Sequence, residues 1–146
     1  MNQKHVSFSE LKNWDKCPYY HNLVNIQKIK LFQGNEYTAF GNAVHDTCEN
    51  MLLNENAESD KYFVSKYKEA LQKLSDDNYD FNKKLALEMK DQGLELLDYI
   101  KPALKKYFGK YEIVCTEEAL FEDIEAHDFK FKGYVDLVLK TKDEKY

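Results

Sequence analysis

The hydrophobic period of the chain changes at Gly109, and this change limits the possible folds more than any other feature. Before Gly109, apolar residues recur every three to four positions, which predicts helices over 36–53, about 60–74 and about 82–108. Pro102 either kinks the last of these helices or opens a separate one. After Gly109, apolar residues alternate over 111–121 and 129–139, which predicts two strands. We therefore predict an α/β fold in which N-terminal helices pack on a mixed β-sheet.

A further helix is predicted near the N-terminus. Ser7 followed by Glu10 is typical of a capping box, and Pro18 should end the helix near Lys16. Between this helix and the turn signal at Gly34 lies a short alternation of apolar and polar residues over 23–29. No helix or strand is assigned there.

We expect residues 1–146 to form a single domain, with a helical part over 1–109 and the start of a core sheet over 110–146. A strand as apolar as 133–139 should have neighbours on both sides, and two strands alone make a marginal sheet. We therefore expect further strands beyond residue 146, which would make the chain a C-terminally incomplete fragment.

Charge and cysteine content narrow the possible functions. The formal net charge is −5, and all 21 basic residues are Lys. Without Arg, bidentate hydrogen bonding of a guanidinium group to guanine is excluded, so a nucleic acid would be bound with little sequence preference. The three cysteines lack the spacing of a disulfide framework or a zinc site, which favours a reducing compartment. No apolar run approaches the ~20 residues of a membrane span.

Three groups of residues could carry chemistry. Taken singly, a capped helix N-terminus and a His on a helix are usually structural features without a catalytic or binding role, whereas an Asp within an apolar strand is unusual. A buried carboxylate needs a partner such as a cation, although exposure at a strand edge or end would also explain it. The groups are Ser7-x-Ser9 with Cys17-Pro18-x-Tyr20, Gly41-x-x-x-His45 with Glu49, and Gly133-Tyr134-Val135-Asp136 preceded by Glu117-Glu118.

In this order, the three groups resemble the RecB-like branch of the PD-(D/E)XK nuclease superfamily over nearly the whole chain. The resemblance implies a restriction-endonuclease-like core and a metal-dependent, exonuclease-like DNA nuclease of repair, recombination or replication. Its substrate would be DNA ends or single strands, and helicase or recombination proteins would be its candidate partners.

The resemblance also implies roles for individual residues. His45 and Asp136 would ligate Mg²⁺ or Mn²⁺, ions that carboxylates suit, with one imidazole favouring Mn²⁺. Glu118, or in its place Glu117, would assist catalysis, and Glu49 would orient His45. The residues expected to contact DNA or to support the site are Ser7, Ser9, Tyr20, Gly41 and Gly133.

Two features depart from the family pattern. The family's Asp/Glu-x-Lys motif lies on the strand that follows Gly-x-x-Asp, whereas here Asp143-Glu144-Lys145 falls where a solvated turn is expected. We therefore expect the full-length protein to be a deoxyribonuclease and this chain alone to bind metal poorly and to be inactive. Some family members use a Cys at the place of Cys17 to hold an iron–sulfur cluster. Here a packed thiol is expected instead.

Two other interpretations stay open. The chain could be a catalytically incomplete module that binds DNA or a partner protein, or a helical scaffold in which His45 and Asp136 never meet. The all-Lys composition suggests an AT-rich genome. We accordingly expect a protein of the bacterial cytoplasm or of a phage-infected cell.

Overall fold

The computed structural model describes residues 4–30 and 34–142. They divide into two compact units. The sheet unit comprises residues 4–30 and 114–139, and the helical unit comprises residues 34–113 and 140–142. The elements in chain order are β1 (His5–Ser7), α1 (Phe8–Lys16), α2 (Pro18–His21), a π-helical turn (Asn22–Ile26), α3 (Glu36–Leu53), α4 (Ser59–Asp76), α5 (Lys83–Phe108), β2 (Tyr111–Asp123) and β3 (Lys130–Thr141).

The ends of the long helices follow from their capping residues. Asn35 forms a reciprocal capping box with Thr38, and the side chain of Asn82 accepts a hydrogen bond from Leu85 N at 3.1 Å. Gly109, at φ 70°, ends α5. Pro102 lies inside α5, which continues through it as one element, so no separate helix begins there. The three helices predicted from the 3.6-residue period are confirmed.

The core of the helical unit lies between α3, α4 and α5. Phe63 is fully buried, its ring stacks on Tyr67 at 5.8 Å, and Phe40 meets it edge-on at 6.1 Å. Gly93 lets α5 approach this group, since a Cβ atom there would lie 2.2 Å from Phe63 Cζ. The buried apolar residues of this core are Ala39, Ala43, Met51, Phe63, Tyr67, Leu74, Ala86, Met89 and Leu97.

Two tyrosines are coupled to a buried carboxylate at the start of α3. Glu36 is buried, and the Tyr79 hydroxyl donates to its Oε2 at 3.4 Å. Burial, and after it the charge of Glu36, raises the pKa of both Tyr67 and Tyr79 above the usual phenol value. The helical unit should therefore lose stability at alkaline pH.

The sheet contains a strand that the sequence analysis did not predict. Its order is β1-β3-β2, so β3 is central. β1 pairs with β3 in parallel, with Ser7 opposite Lys132. β2 and β3 follow each other through a short turn, where Asp123 and Lys130 form an ion pair at 2.9 Å. His5–Ser7 gives β3 a second neighbour at residues 130–132 only, so the expectation of further strands beyond residue 146 stays a prediction.

The N-terminal segment also differs from prediction in two details. Ser7 caps α1 by accepting from Glu10 N at 3.3 Å, but the Glu10 carboxylate contacts His21 Nε2 at 3.0 Å instead of closing a capping box. Residues 22–26, where no helix was assigned, form a π-helical turn after Pro18 opens α2. The predicted end of α1 at Lys16 is confirmed.

The combination of helices with a three-stranded mixed sheet confirms the α/β class. Among the described residues, no helix combines the length and the apolar character that crossing a membrane requires. Asp143-Glu144-Lys145, expected in a solvated turn, lies outside the described residues. The single-domain organisation stays a prediction.

Candidate functional site

Helix α3 presents the Gly-x-x-x-His motif on one face. Gly41, His45 and Glu49 follow each other at four-residue steps, so they lie one above another along the helix. A ring nitrogen of His45 and a carboxylate oxygen of Glu49 lie within 4.8 Å of each other, and both side chains are half-buried. An imidazole and a carboxylate at this spacing can share a cation, or the carboxylate can orient the imidazole.

Gly41 has no packing reason to be glycine. A Cβ atom built at this position would meet nothing within 4 Å. Glycine in a helix interior is less favourable than alanine by roughly 0.5–1 kcal/mol, so its presence one turn before His45 is a local cost to stability. Open space beside a potential ligand is what close approach of a bound molecule requires.

The structure places Asp136 on an open face of the sheet. Along β3, Tyr134 and Asp136 are exposed, while Val135 and Leu137 between and beyond them are half-buried. Of the two explanations for an Asp in so apolar a strand, burial beside a cation and exposure to solvent, the structure supports exposure, because strand alternation turns Asp136 to the solvent-facing side. Asp136 lies in the central strand of the sheet, four residues beyond the last described pair of β1 with β3, Ser7 and Lys132.

Ser7, the first serine of the N-terminal motif, lies on the same face of the sheet as Asp136. Ser7 is the β1 partner of Lys132, and residues opposite each other in paired strands point to one side. Lys132 and Asp136 are four residues apart, so Ser7 lies about 13 Å from Asp136 along the strand direction. Ser7 Oγ and Ser9 Oγ are 3.0 Å apart at the start of α1, a helix end that favours anions.

The two acidic residues of β2 are distinguished by backbone geometry. Glu117 has φ 49°, in the left-handed region, and interrupts the regular strand. Phe121 lies on the Asp136 face, because its ring is 5.6 Å from the Lys132 ammonium group. Counting back from Phe121 places Glu118 on the opposite face. This favours Glu117 over Glu118 as the acid beside Asp136, and the catalytic role of either stays a prediction.

The Cys-Pro motif has a clear structural role. Cys17 Sγ accepts a hydrogen bond from Tyr20 N at 3.5 Å and so caps α2. His21, held by Glu10, meets the Trp14 ring edge-on at 5.4 Å. Tyr20 is partly exposed. These contacts explain the motif as the corner between α1 and α2, and the expected roles of Tyr20 and Cys17 are not tested by them.

Two residues on the Asp136 face were not singled out from the sequence. Lys132 and Tyr134 precede Asp136 at steps of two, so a period-two count back from the carboxylate would have found them. Gly133 lies between them on the other side of the strand, where a Cβ atom would meet nothing within 4 Å.

An apolar groove in the helical unit contains none of the predicted site residues. It lies between α4 and α5 and has a volume of about 480 Å³. Its walls include Val64, Leu71, Phe81 and Leu87. A larger cavity of about 660 Å³ in the same unit, beside Pro102 and Gly109, contains none of the predicted site residues either. Side-chain chemistry, and not cavity volume, therefore identifies the candidate site among the described residues.

Comparison with known proteins defines the class. The family model of the PD-(D/E)XK nuclease superfamily matches residues 5–146, and the chain belongs to that superfamily. Its members are generally nucleases that use Mg²⁺ or Mn²⁺. No curated protein and no solved structure was found to match the chain. The fold described above is consistent with the restriction-endonuclease-like architecture of this superfamily.

The donor groups suit such an ion. Mg²⁺ and Mn²⁺ prefer oxygen ligands, and Mn²⁺ also accepts an imidazole nitrogen. The sheet unit offers the exposed carboxylate of Asp136, and the helical unit offers His45 with Glu49. Each unit therefore carries donors of the kind that the superfamily's metal requires.

Proposed function

We propose that this chain carries the metal-binding core of a RecB-like nuclease that hydrolyses DNA phosphodiesters. Its substrates are DNA ends or single strands, and its setting is repair, recombination or replication in a bacterial or phage-infected cell. The observation that carries the proposal is the exposed Asp136 on the central strand of a chain that matches the superfamily over residues 5–146.

In this proposal, His45 and Asp136 hold Mg²⁺ or Mn²⁺, Glu49 orients the imidazole, and Glu117 supports Asp136. The ion supplies charge neutralisation at the scissile phosphate and activation of water. These assignments follow the resemblance of the motifs, and the 4.8 Å approach of His45 to Glu49 supports the pairing on α3.

The chain's own residues position the DNA. The Ser7 and Ser9 hydroxyls, 3.0 Å apart at the start of α1, can donate to a phosphate where the helix end already favours an anion. Gly41 leaves room for the DNA backbone one turn before His45. Because the chain contains no Arg, phosphate contacts come from hydroxyls, amides and Lys, and sequence preference is weak.

Mn²⁺ binding measured by calorimetry tests the ligand assignment. His45→Ala and Asp136→Ala should each weaken Mn²⁺ binding at least about tenfold, since even residues behind the ligands affect metal affinity by about 10–100-fold. The matched controls are His127→Ala and Asp128→Asn, both exposed in the turn before β3. Unchanged Mn²⁺ affinity in either Asp136→Ala or His45→Ala would contradict the shared site.

Incubation with linear and circular single-stranded DNA in Mn²⁺ tests the activity. Hydrolysis of the linear form that disappears in Asp136→Asn supports an end-dependent nuclease. The alternative, a nuclease-fold module that binds DNA without cleaving it, predicts that Mn²⁺ and DNA are bound and that both substrates stay intact, also when residues 1–146 are tested within the full-length protein.

A further inference from the structure

The open face of the sheet carries two exposed aromatic rings around a lysine. The Lys132 ammonium group lies 4.8 Å from the centre of the Tyr134 ring and 5.6 Å from that of Phe121. Tyr134 is 56 % exposed and Phe121 is 42 % exposed. We call Phe121, Lys132 and Tyr134 the aromatic–lysine surface.

The lysine in this surface is not neutralised within the described part of the chain. Lys130, two residues earlier on the same strand, forms an ion pair with Asp123 at 2.9 Å. Lys132 forms no ion pair among residues 4–30 and 34–142, and its ammonium group lies over the two aromatic rings. A cation held over rings is oriented without losing its charge, so it can still meet an anion.

Two residues of β1 border the aromatic–lysine surface. His5 meets the Phe121 ring edge-on, with centroids 6.2 Å apart and planes at 87°. Ser7 lies beside Lys132 through the β1–β3 register. Phe121 is thus positioned by its contacts with His5 and Lys132, and Tyr134 by its contact with Lys132, while both side chains remain exposed enough to meet a planar ligand.

The surface lies next to the proposed metal ligand. Tyr134 and Asp136 point to the same side of β3 and are two residues apart, which corresponds to about 7 Å. If a DNA strand stacked one base on Tyr134 and placed a phosphate at Lys132, its neighbouring phosphodiester would lie close to Asp136.

We propose that the aromatic–lysine surface binds single-stranded DNA, with bases stacked on Tyr134 and Phe121 and a phosphate held by Lys132. Exposed aromatics on a sheet together with a basic group are the usual means of binding unpaired strands, because every base has a face to stack. Paired bases offer no such face except at an end. This inference rests on the proposed nuclease function and specifies the form of its substrate.

Binding measured in EDTA separates stacking from metal binding and from cleavage. The probes are fluorescein-labelled dT12 and an abasic oligomer with the same number of phosphates, followed by fluorescence anisotropy. Tyr134→Ala should weaken dT12 binding about 5- to 100-fold and leave the abasic oligomer nearly unaffected, because stacking of one base contributes on this scale. Tyr134→Phe should restore the preference for dT12.

The lysine is tested by salt dependence, and a distant aromatic serves as control. Lys132→Ala should weaken both oligomers alike and lower the slope of log affinity against log salt by about one. Tyr99→Ala, at a residue 69 % exposed on α5, should change neither. Circular dichroism checks that each variant is folded.

An unchanged ratio of dT12 to abasic affinity in Tyr134→Ala would overturn the stacking proposal, as would a wild-type chain that does not distinguish the two oligomers. Either result leaves the Mn²⁺ measurement on Asp136 and His45 untouched, so failure of the inference and failure of the proposed function remain distinguishable.

Discussion

Replacing Gly93 by alanine should destabilise the helical unit, although the same change stabilises most helices. The new Cβ atom would lie 2.2 Å from Phe63 Cζ, 2.6 Å from Phe63 Cε1 and 3.0 Å from Phe40 Cε2. To reach an ordinary contact of 3.4 Å, the Phe63 ring would have to retreat by about 1.2 Å. The ring cannot do so freely, because it is fully buried and stacks on Tyr67.

The magnitude follows from two opposing effects. Alanine gains roughly 0.5–1 kcal/mol over glycine in a helix interior. Forcing extra volume into a packed core costs about 1–3 kcal/mol, and a rigid aromatic neighbour puts Gly93 at the upper end of this range. Gly93→Ala should therefore lower the free energy of unfolding by about 2 kcal/mol, or the midpoint temperature by roughly 4–8 °C.

Gly41→Ala is the matched control, since Gly41 is also inside a helix but its Cβ would meet nothing within 4 Å. It should raise the unfolding free energy by roughly 0.5–1 kcal/mol. Urea and thermal unfolding followed by circular dichroism at the helix band measure both variants. A Gly93→Ala variant as stable as Gly41→Ala would refute the argument that the approach of α5 to Phe63 limits this core.

Two further predictions concern the same helical unit. The folded state holds the Tyr67 proton more tightly than the unfolded chain does, because the pKa of Tyr67 is raised on folding. The stability that Tyr67 contributes is therefore full below the usual phenol pKa of about 10 and is lost as pH rises through the raised pKa. Urea midpoints should fall from pH 8 to 11, and they should fall less in Tyr67→Phe. An equally steep fall in Tyr67→Phe would remove this residue from the explanation. Asn35→Ala should lower the unfolding free energy by about 1 kcal/mol, because the capping box of α3 is lost. Asn42 is exposed on the same helix, and Asn42→Ala should change the unfolding free energy little. Equal effects of the two substitutions in denaturant titrations would argue against the cap.

Local signals made the helices predictable. The bounds of α3 at Glu36 and Leu53 agree with the sequence prediction, because the turn signal at Gly34 and the apolar period over 36–53 both lie in or beside the helix itself. The period change at Gly109 likewise separated α5 from β2. In each case the physical cause lies within a few residues of its effect.

Features that depend on distant residues were not predictable in this way. β1 is three residues long and forms only because β3 offers a free edge, so nothing in His5–Ser7 itself indicates a strand. The exposure of Asp136 depends on which face of β3 is covered. The choice between Glu117 and Glu118 depends on which face of β2 carries Phe121. The resemblance of the motifs identifies the candidate residues, but the direction in which their side chains point depends on how the strands pair in the sheet.

The parallel pairing of β1 with β3 has a consequence for the order of folding. Ser7 pairs with Lys132, so the first strand to leave the ribosome must wait for almost the last residues described before it finds its partner. The contacts among α3, α4 and α5 are complete once residue 108 has been made. Contacts between residues far apart in sequence form slowly, and nascent chains fold the early parts first. We expect the helices to be assembled before β3 pairs with β1, so that competence for DNA would be acquired only after the residues of β3, Asp136 among them, have been made.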